Sequence, residues 1–299
     1  MNNENRFVEQ TIYGELNVCA IIVTFNIGRE LLKCFESIRH QVDEVVIVDN
    51  NSNVETIQVL NEFEKLNDVN IIYNEENRGI AAALNQGVKY AIENNYKWII
   101  TLDHDSEATE NMIEKMLTIY ISSDADMKRR IGIICPQIYD INSHTYLTND
   151  VYANDKEYVE VNNAIQSGCI IKTDAFNEIG LFYEPLFIYY VDDDFCCRLL
   201  KRGFKILRIK SVTLYHEEGK REKRRLIYKN IFYSNYNSVA TYYIARNCIY
   251  MIKKYNFKYI KRIMADLIKI LLFDADKGNK MKHVVSGIYD GITNKFGKM

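Results

Sequence analysis

Asp103 and Asp105 flank His104 in TLDHDSE, directly after an apolar run. Two carboxylates one residue apart at a strand end offer hard oxygen ligands to one divalent cation, with water and diphosphate oxygens filling the other positions. The competing role is a helix cap, with Asp105 or Ser106 starting a helix from Ala108. Asp49 follows EVVIV in VDNNSN, where a carboxylate can accept hydrogen bonds from a nucleobase imide or a ribose hydroxyl. An Asx turn with Asn51 and Ser52 would use the same residues. In NEENRGIAAALNQGVKYA, Asn74 to Ala91, Gly79 opens a small-residue helix. Backbone there can approach a ligand closely and Arg78 can meet a phosphate, although tight helix-to-sheet packing needs the same small residues. In YYVDDDFCCRLLKRG, Asp192, Asp193 and Asp194 share a helix start. Their repulsion raises at least one pKa and suits a general base or a metal site, whereas the helix dipole accounts comfortably for only one of them. His216 closes a later strand-like run and is a candidate metal ligand.

These residues need a scaffold that brings strand ends together. Apolar β-rich runs alternate with amphipathic stretches: strands over Asn17 to Thr24, Glu44 to Val48, Val69 to Tyr73 and Trp98 to Leu102, and helices over Gly28 to Arg39, Val54 to Leu66 and Ile80 to Asn94. Such order predicts an α/β fold with a mainly parallel central sheet and helices on both faces, and ligands in such sheets bind at the carboxyl ends of the strands. Every one of these strands runs into a short polar cluster. Beyond residue 131 the pattern is less regular: IGIICPQIYD and SGCIIKT are strand-like, DFCCRLLKRG is a helix, and Lys205 to Leu214 is a strand that ends on Tyr215 and His216. The remainder, basic and Tyr-rich, reads as helical to the end.

Composition bounds the class of protein. With 299 residues, 47% hydrophobic and only 2 Pro, the chain can bury a large core. A net charge of −2 hides a division: residues 1–216 carry 20 basic and 33 acidic side chains, residues 217–299 carry 18 and 7. The tail is therefore expected to meet an anionic surface. Seven cysteines without a C-x-x-C pair point to a reducing compartment, and adjacent Cys196 and Cys197 read as ordinary helix residues. MNNENRFVEQ lacks a basic stretch followed by an apolar one, so no secretory signal is expected. Neither a phosphate-binding P-loop nor a G-x-G-x-x-G fingerprint occurs. Nucleic-acid binding fits the tail's charge, but no recognised motif supports it and the acidic body opposes it.

Taken in order, AIIVTFN, VVIVDNNS, NRGIAAALNQG, WIITLDHDS, SGCIIK, FIYYVDDDFCCRLLKRGFKI, LYHEEG and YYIARNCIYM resemble the family 2 glycosyltransferases, and within them the bacterial rhamnosyltransferase-like enzymes. The resemblance spans residues 19 to 251. It implies a GT-A fold, a nucleotide-diphosphate sugar donor, Mg²⁺ or Mn²⁺, and inversion at the anomeric carbon. It implies a catalytic unit over 1–216, with a nucleotide-binding half at 17–135 and an acceptor half at 136–216, followed by a basic, mainly helical region at 217–299. Carried over by position, Thr24, Asn26, Asp49 and Asn51 hold the base and ribose, with Asn77, Arg78, Gly79 and Asn85 nearby. Asp103 also touches the donor; Asp103 and Asp105 match the metal-binding D-x-D, and His216 a histidine completing the metal site. The family's Glu-Asp pair falls on Val191-Asp192, making Asp192 the candidate base. Val191 stands where Glu is usual, so Asp193 stays open for that role.

The resemblance implies L-rhamnose from dTDP-rhamnose as donor, with UDP-galactofuranose or a UDP-hexose as the alternative, and a glycan or polyprenyl-diphosphate-linked glycan as acceptor in surface polysaccharide synthesis. A nonenzymatic nucleotide-sugar-binding module would need no base beside the D-x-D. The tail suggests an enzyme that is cytoplasmic and peripheral on the inner face of the membrane, since a basic amphipathic segment can lie on anionic lipid. Packing on its own catalytic unit, or pairing with a second copy as a homodimer, would serve the same residues.

Overall fold

The run Val18–Thr24, VCAIIVT, is buried at every position, as a strand covered on both faces requires, and it forms β1. The computed structural model describes residues 16–147, 156–217, 221–226 and 229–299. After β1 come α1 (Leu31–Ile38), β2 (Glu44–Asp49), α2 (Val54–Phe63), β3 (Val69–Tyr73), α3 (Ile80–Glu93) and β4 (Trp98–Asp103). Next are β5 (Glu107–Ala108), α4 (Met112–Ser122), α5 (Ala125–Arg130), β6 (Ile131–Asp140), β7 (Thr145–Tyr146), β8 (Tyr158–Val161) and β9 (Cys169–Lys172). α6 (Thr173–Ile179), α7 (Val191–Lys201) and β10 (Lys205–His216) complete this part of the chain. The alternation expected over the first 103 residues is present, with Asn53 capping α2 through a side-chain bond to the Thr56 amide.

Ten strands form one sheet along the path β3-β2-β1-β4-β9-β6-β10-β5, with β7 on β6 and β8 on β10. β3, β2, β1 and β4 are parallel. β9 runs antiparallel between β4 and β6, and β6 is parallel to β10. Helices α1, α2 and α4 cover one face, and α3, α6 and α7 the other. α3 lies so close to β1 that a Cβ on Gly87 would stand 2.4 Å from Ile21 Cγ2. Tight packing on the sheet is thus one use of the small residues in this helix. All seven cysteines are free, and Cys196 belongs to the core beneath α7.

The tail departs from the expected helix at its start. Arg221–Leu226 and Lys229–Ser234 form β11 and β12, an antiparallel hairpin. A dense charge run has no apolar period from which a strand could be distinguished from a helix. Helices α8 (Ser238–Lys254), α9 (Ile260–Phe273) and α10 (Lys277–Ile292) follow. They share an apolar cluster with Tyr189 and Tyr190, so the tail packs on the preceding part of the chain. Among the described residues no helix is long and apolar enough to cross a membrane.

Candidate active site

Parallel pairing aligns the strand ends. Thr24 stands beside Asp49, and Val23 beside Asp103. Val23, Thr24 and Asp103 border a cavity of about 1000 Å³ whose lining also includes Asn77, Asp105, Asp192 and His216. Gly79 and Asp193 line it as well. One space therefore joins elements that lie more than 190 residues apart in sequence.

Asp103, Asp105 and His216 bring one ligand atom each to within 4.8 Å of one another. His216 Nδ1 lies 3.3 Å from Asp105 Oδ1 and 3.0 Å from Ser106 Oγ, which meets Ser167 Oγ at 2.7 Å. Ser106 is thus part of the cluster rather than a cap, and the helix expected from Ala108 begins at Met112 because β5 intervenes. Gln166 donates to Asp103 Oδ1, and Asp103 N–H donates to Ser167 Oγ. Burial and the charge of Asp105 push the Asp103 carboxyl up to about 6. Burial would also raise Asp105, but the hydrogen bond and charge of His216 outweigh it and hold that carboxyl below its usual range. Two crowded carboxylates and an imidazole at a cavity wall form a donor set that fits a divalent cation. His104, also on the wall, accepts the Phe25 N–H at Nδ1, and burial lowers its pKa.

The nucleotide-side candidates divide. Thr24 is fully buried, and its Oγ1 has no hydrogen-bond partner among the described residues. The buried Asp49 spends Oδ2 on the Ser52 N–H at 3.0 Å, while Oδ1 has none. The Asx turn and a spare acceptor thus coexist, although Asp49 does not itself line the cavity. Asn77 caps its own loop by accepting the Gly79 N–H at 2.9 Å. Asn26 ties two loops together, accepting the Asn53 N–H at 2.7 Å and donating its own N–H to Ser52 Oγ at 3.0 Å. Asn26, with φ 55°, and Asn51, with φ 66°, take left-handed backbone and lie off the cavity wall. Arg78 is exposed and also lies off it.

Two of these residues are engaged by the chain itself. Asn85 is buried and holds the loop before α7, donating to Phe182 O and Glu184 Oε1 and accepting the Phe182 N–H, each at 2.9 Å. Its amide is fully engaged away from the cavity. Gly79, at φ 82°, does allow a close approach, but to protein: an added Cβ would lie 2.6 Å from Phe187 O. That carbonyl accepts the Ile80 N–H at 2.8 Å, so the start of α3 is satisfied by chain.

The three aspartates have three environments. Asp194 is fully buried and accepts from Arg198 Nε at 2.8 Å, Tyr255 OH at 2.6 Å, Tyr250 OH at 2.8 Å and Lys254 at 3.0 Å. Burial opposes its ionisation, yet these donors hold its carboxyl below the usual range. Removing one partner of such a buried group costs about 3–5 kcal/mol, so Asp194 ties α8 to α7. Asp193 sits 3.9 Å from Arg262 on α9, and burial together with the Asp192 charge pushes it up to about 7. Asp192 accepts the Asp193 N–H at 2.9 Å, and burial raises its carboxyl.

Before α7, Phe187, Tyr189 and Tyr190 all have positive φ, between 61° and 66°. Non-glycine residues held there cost about 1–3 kcal/mol each and need outside support. Buried Asn247 supplies it: its amide nitrogen lies 2.7–2.9 Å from the carbonyls of Leu186, Ile188 and Tyr189. Arg246 adds a 2.8 Å bond to Leu186 O. The R-N pair of the tail thus positions Asp192. Sequence reasoning missed this brace, along with Asn50, which is buried beside Gly79 and accepts the Arg78 N–H at 3.3 Å, and Gln166. Asn50, Arg246 and Asn247 fall within segments that carry the resemblance, but a polar side chain's type gives no local signal of the partner it meets.

A half-buried cluster of candidate cation ligands, a cavity at the carboxyl ends of parallel strands and a separate carboxyl with a raised pKa are the parts that group transfer from a nucleotide donor would use on an α/β sheet. The model of glycosyl transferase family 2 matches residues 19–180, more than half of the chain, and the chain belongs to that family. It is 28% identical to the dTDP-rhamnosyl transferase RfbF of Shigella flexneri over 92% of this chain and 95% of that one. It is 23% identical to the low-salt glycan biosynthesis hexosyltransferase Agl10 of Haloferax volcanii over 97% and 95%. Structural likeness gives the GT-A fold. The S. aureus TarS 1–349 complex with UDP-GlcNAc has a TM-score of 0.59 at 15% identity, covering 93% of this chain and 81% of that one. GalNAc-T7 with UDP, GalNAc and Mn²⁺ has a TM-score of 0.60 at 19% identity, covering 93% and 56%.

Proposed function

We propose that this glycosyltransferase moves L-rhamnose from dTDP-rhamnose to a hydroxyl of a glycan or polyprenyl-diphosphate-linked glycan, in bacterial surface polysaccharide synthesis, with inversion at the anomeric carbon. The observation that carries the chemistry is a carboxyl with a raised pKa, Asp192, in the same cavity as the Asp103, Asp105 and His216 cluster. Similarity to RfbF along almost the whole of both chains supports the donor. A UDP-hexose is the second reading, favoured by the similarity to a hexosyltransferase.

In this reading Asp192 takes the proton from the acceptor hydroxyl. The acceptor oxygen bonds to the anomeric carbon as the bond to the diphosphate oxygen breaks, and that electron pair leaves with the diphosphate. Asp103, Asp105 and His216 would hold Mg²⁺ or Mn²⁺, which supplies charge neutralisation for the leaving group. Thr24 and Asp49 offer buried oxygens to the base and ribose.

The pH dependence follows from the sign of the shift. A base is active when deprotonated, so kcat/KM should fall as pH drops through the raised pKa. Asp192 and Asp193 interact, so the limb belongs to the pair rather than to either residue. We expect an acid limb well above the ordinary carboxylate value of about 3.9. A rate that stays flat down to about pH 4 would remove a raised carboxylate from the mechanism.

A further inference from the structure

Helix α9 wears its polarity inside out. Arg262, Asp266 and Lys269 line the cavity beside Ile263, Leu267 and Ile270. Its outer side carries Ile260, Met264, Ile268, Leu271 and Leu272, each 42–52% exposed. Offsets of 4, 8, 11 and 12 from Ile260 place these five side chains in one stripe of a 3.6-residue helix. A surface helix of a globular protein ordinarily turns such a stripe inward, and a contiguous exposed one marks a contact with something outside the chain. α10 adds Val285, Tyr289 and Ile292, 59–65% exposed, on one face of its own.

Charge selects the occupant. From Ser238 to Met299 there are twelve Lys and Arg against four Asp and no Glu. Three of the four Asp are engaged within the fold: Asp266 lines the cavity, Asp274 pairs with Lys280, and Asp290 accepts from Tyr242 OH at 2.7 Å. Lys258 and Lys261 are exposed at the start of the α9 stripe, and Lys282 stands one turn from Val285 on α10. A second copy presenting the same face would bring like charges together, whereas an anionic bilayer offers charges of opposite sign and an apolar layer beneath them.

We propose that α9 docks the enzyme on an anionic lipid surface, its outer stripe entering the boundary between headgroups and acyl chains while its inner side walls the active site. This surface is independent of the donor and of the base, and its test reads no transfer chemistry.

The test is co-sedimentation of the full-length protein with vesicles of phosphatidylcholine alone or mixed with phosphatidylglycerol. We expect the wild type to pellet with the anionic vesicles at low salt and less so at high salt. Ile268→Glu combined with Leu272→Glu, both at half-exposed positions, should keep the wild-type circular dichroism and melting temperature and lose vesicle affinity by about tenfold or more. Should that variant fold poorly, Lys258→Glu with Lys261→Glu reads the same surface through charge and should weaken anionic-vesicle binding. A wild type that remains in the supernatant with anionic vesicles overturns the proposal. So does a folded Ile268→Glu, Leu272→Glu variant that binds like wild type, including one whose only change is conversion of a dimer to a monomer in sedimentation velocity.

Discussion

Replacing Asp192 by Asn is expected to lower kcat about a thousandfold while leaving donor affinity within a factor of about three. The substitution keeps size and shape, and an Asn oxygen can still accept the Asp193 N–H, so the start of α7 should hold. What disappears is a group that can take up a proton. Donor contacts assigned to Thr24 and the Asp103 cluster lie elsewhere in the cavity, and Asp49 lies behind Thr24 on the next strand, so they should survive. Single-turnover transfer and a donor titration, run on the same preparation, separate the two quantities. Asp193→Asn should cost far less, because that carboxylate is the one that stands within ion-pair distance of Arg262, at 3.9 Å. Should Asp193→Asn instead suffer the thousandfold loss, the base is one residue further along the helix.

The second large effect is at the cation ligands. Asp105→Asn should weaken Mn²⁺ binding and lower transfer by at least ~100-fold, since losing even an outer partner of a metal ligand costs about 10–100-fold. Without metal the variant should melt close to the wild type. Asp105 gains from His216 but raises Asp103, whose ionised form is disfavoured in the folded chain. A carboxyl with a raised folded pKa withdraws stability as pH rises through that pKa, so neutralising its neighbour returns part of it. The loss of the His216 contact and the relief of Asp103 oppose each other. The readout is the Mn²⁺-dependent rise in melting temperature, present in the wild type and absent in Asp105→Asn. An unchanged rise would place the cation elsewhere.

The parallel part of the sheet was legible because β1, β2 and β4 are buried almost throughout. Runs such as VCAIIVT and EVVIV announce themselves without alternation, and the polar residues after them fall at one edge once the strands are parallel. Asp103, Asp105 and His216 were readable as separate ligand types, but their meeting depends on β10 lying two strands from β9, a long-range pairing that no local pattern encodes. Small residues serve the packing that their type also suits. Gly79 allows a close approach, as its type suggests, and it does so to Phe187 O while also lining the cavity. Asn85 looks like a binding residue beside Gly79 and proves to be a loop clamp, because an amide suits either task. The brace from Asn247 to Leu186, Ile188 and Tyr189 joins residues about sixty apart, and only the fold brings them together. The hairpin β11–β12 was hidden in a charge run, which has no period to read.

The most direct test is transfer itself. Purified protein with Mn²⁺ and an acceptor glycan is given dTDP-rhamnose, a UDP-hexose or UDP-galactofuranose in parallel, with released nucleoside diphosphate and glycosylated product measured in each. Product from dTDP-rhamnose alone, abolished by Asp192→Asn, is the expected result. Failure of all three donors to yield product or to raise the melting temperature with Mn²⁺ present would contradict it.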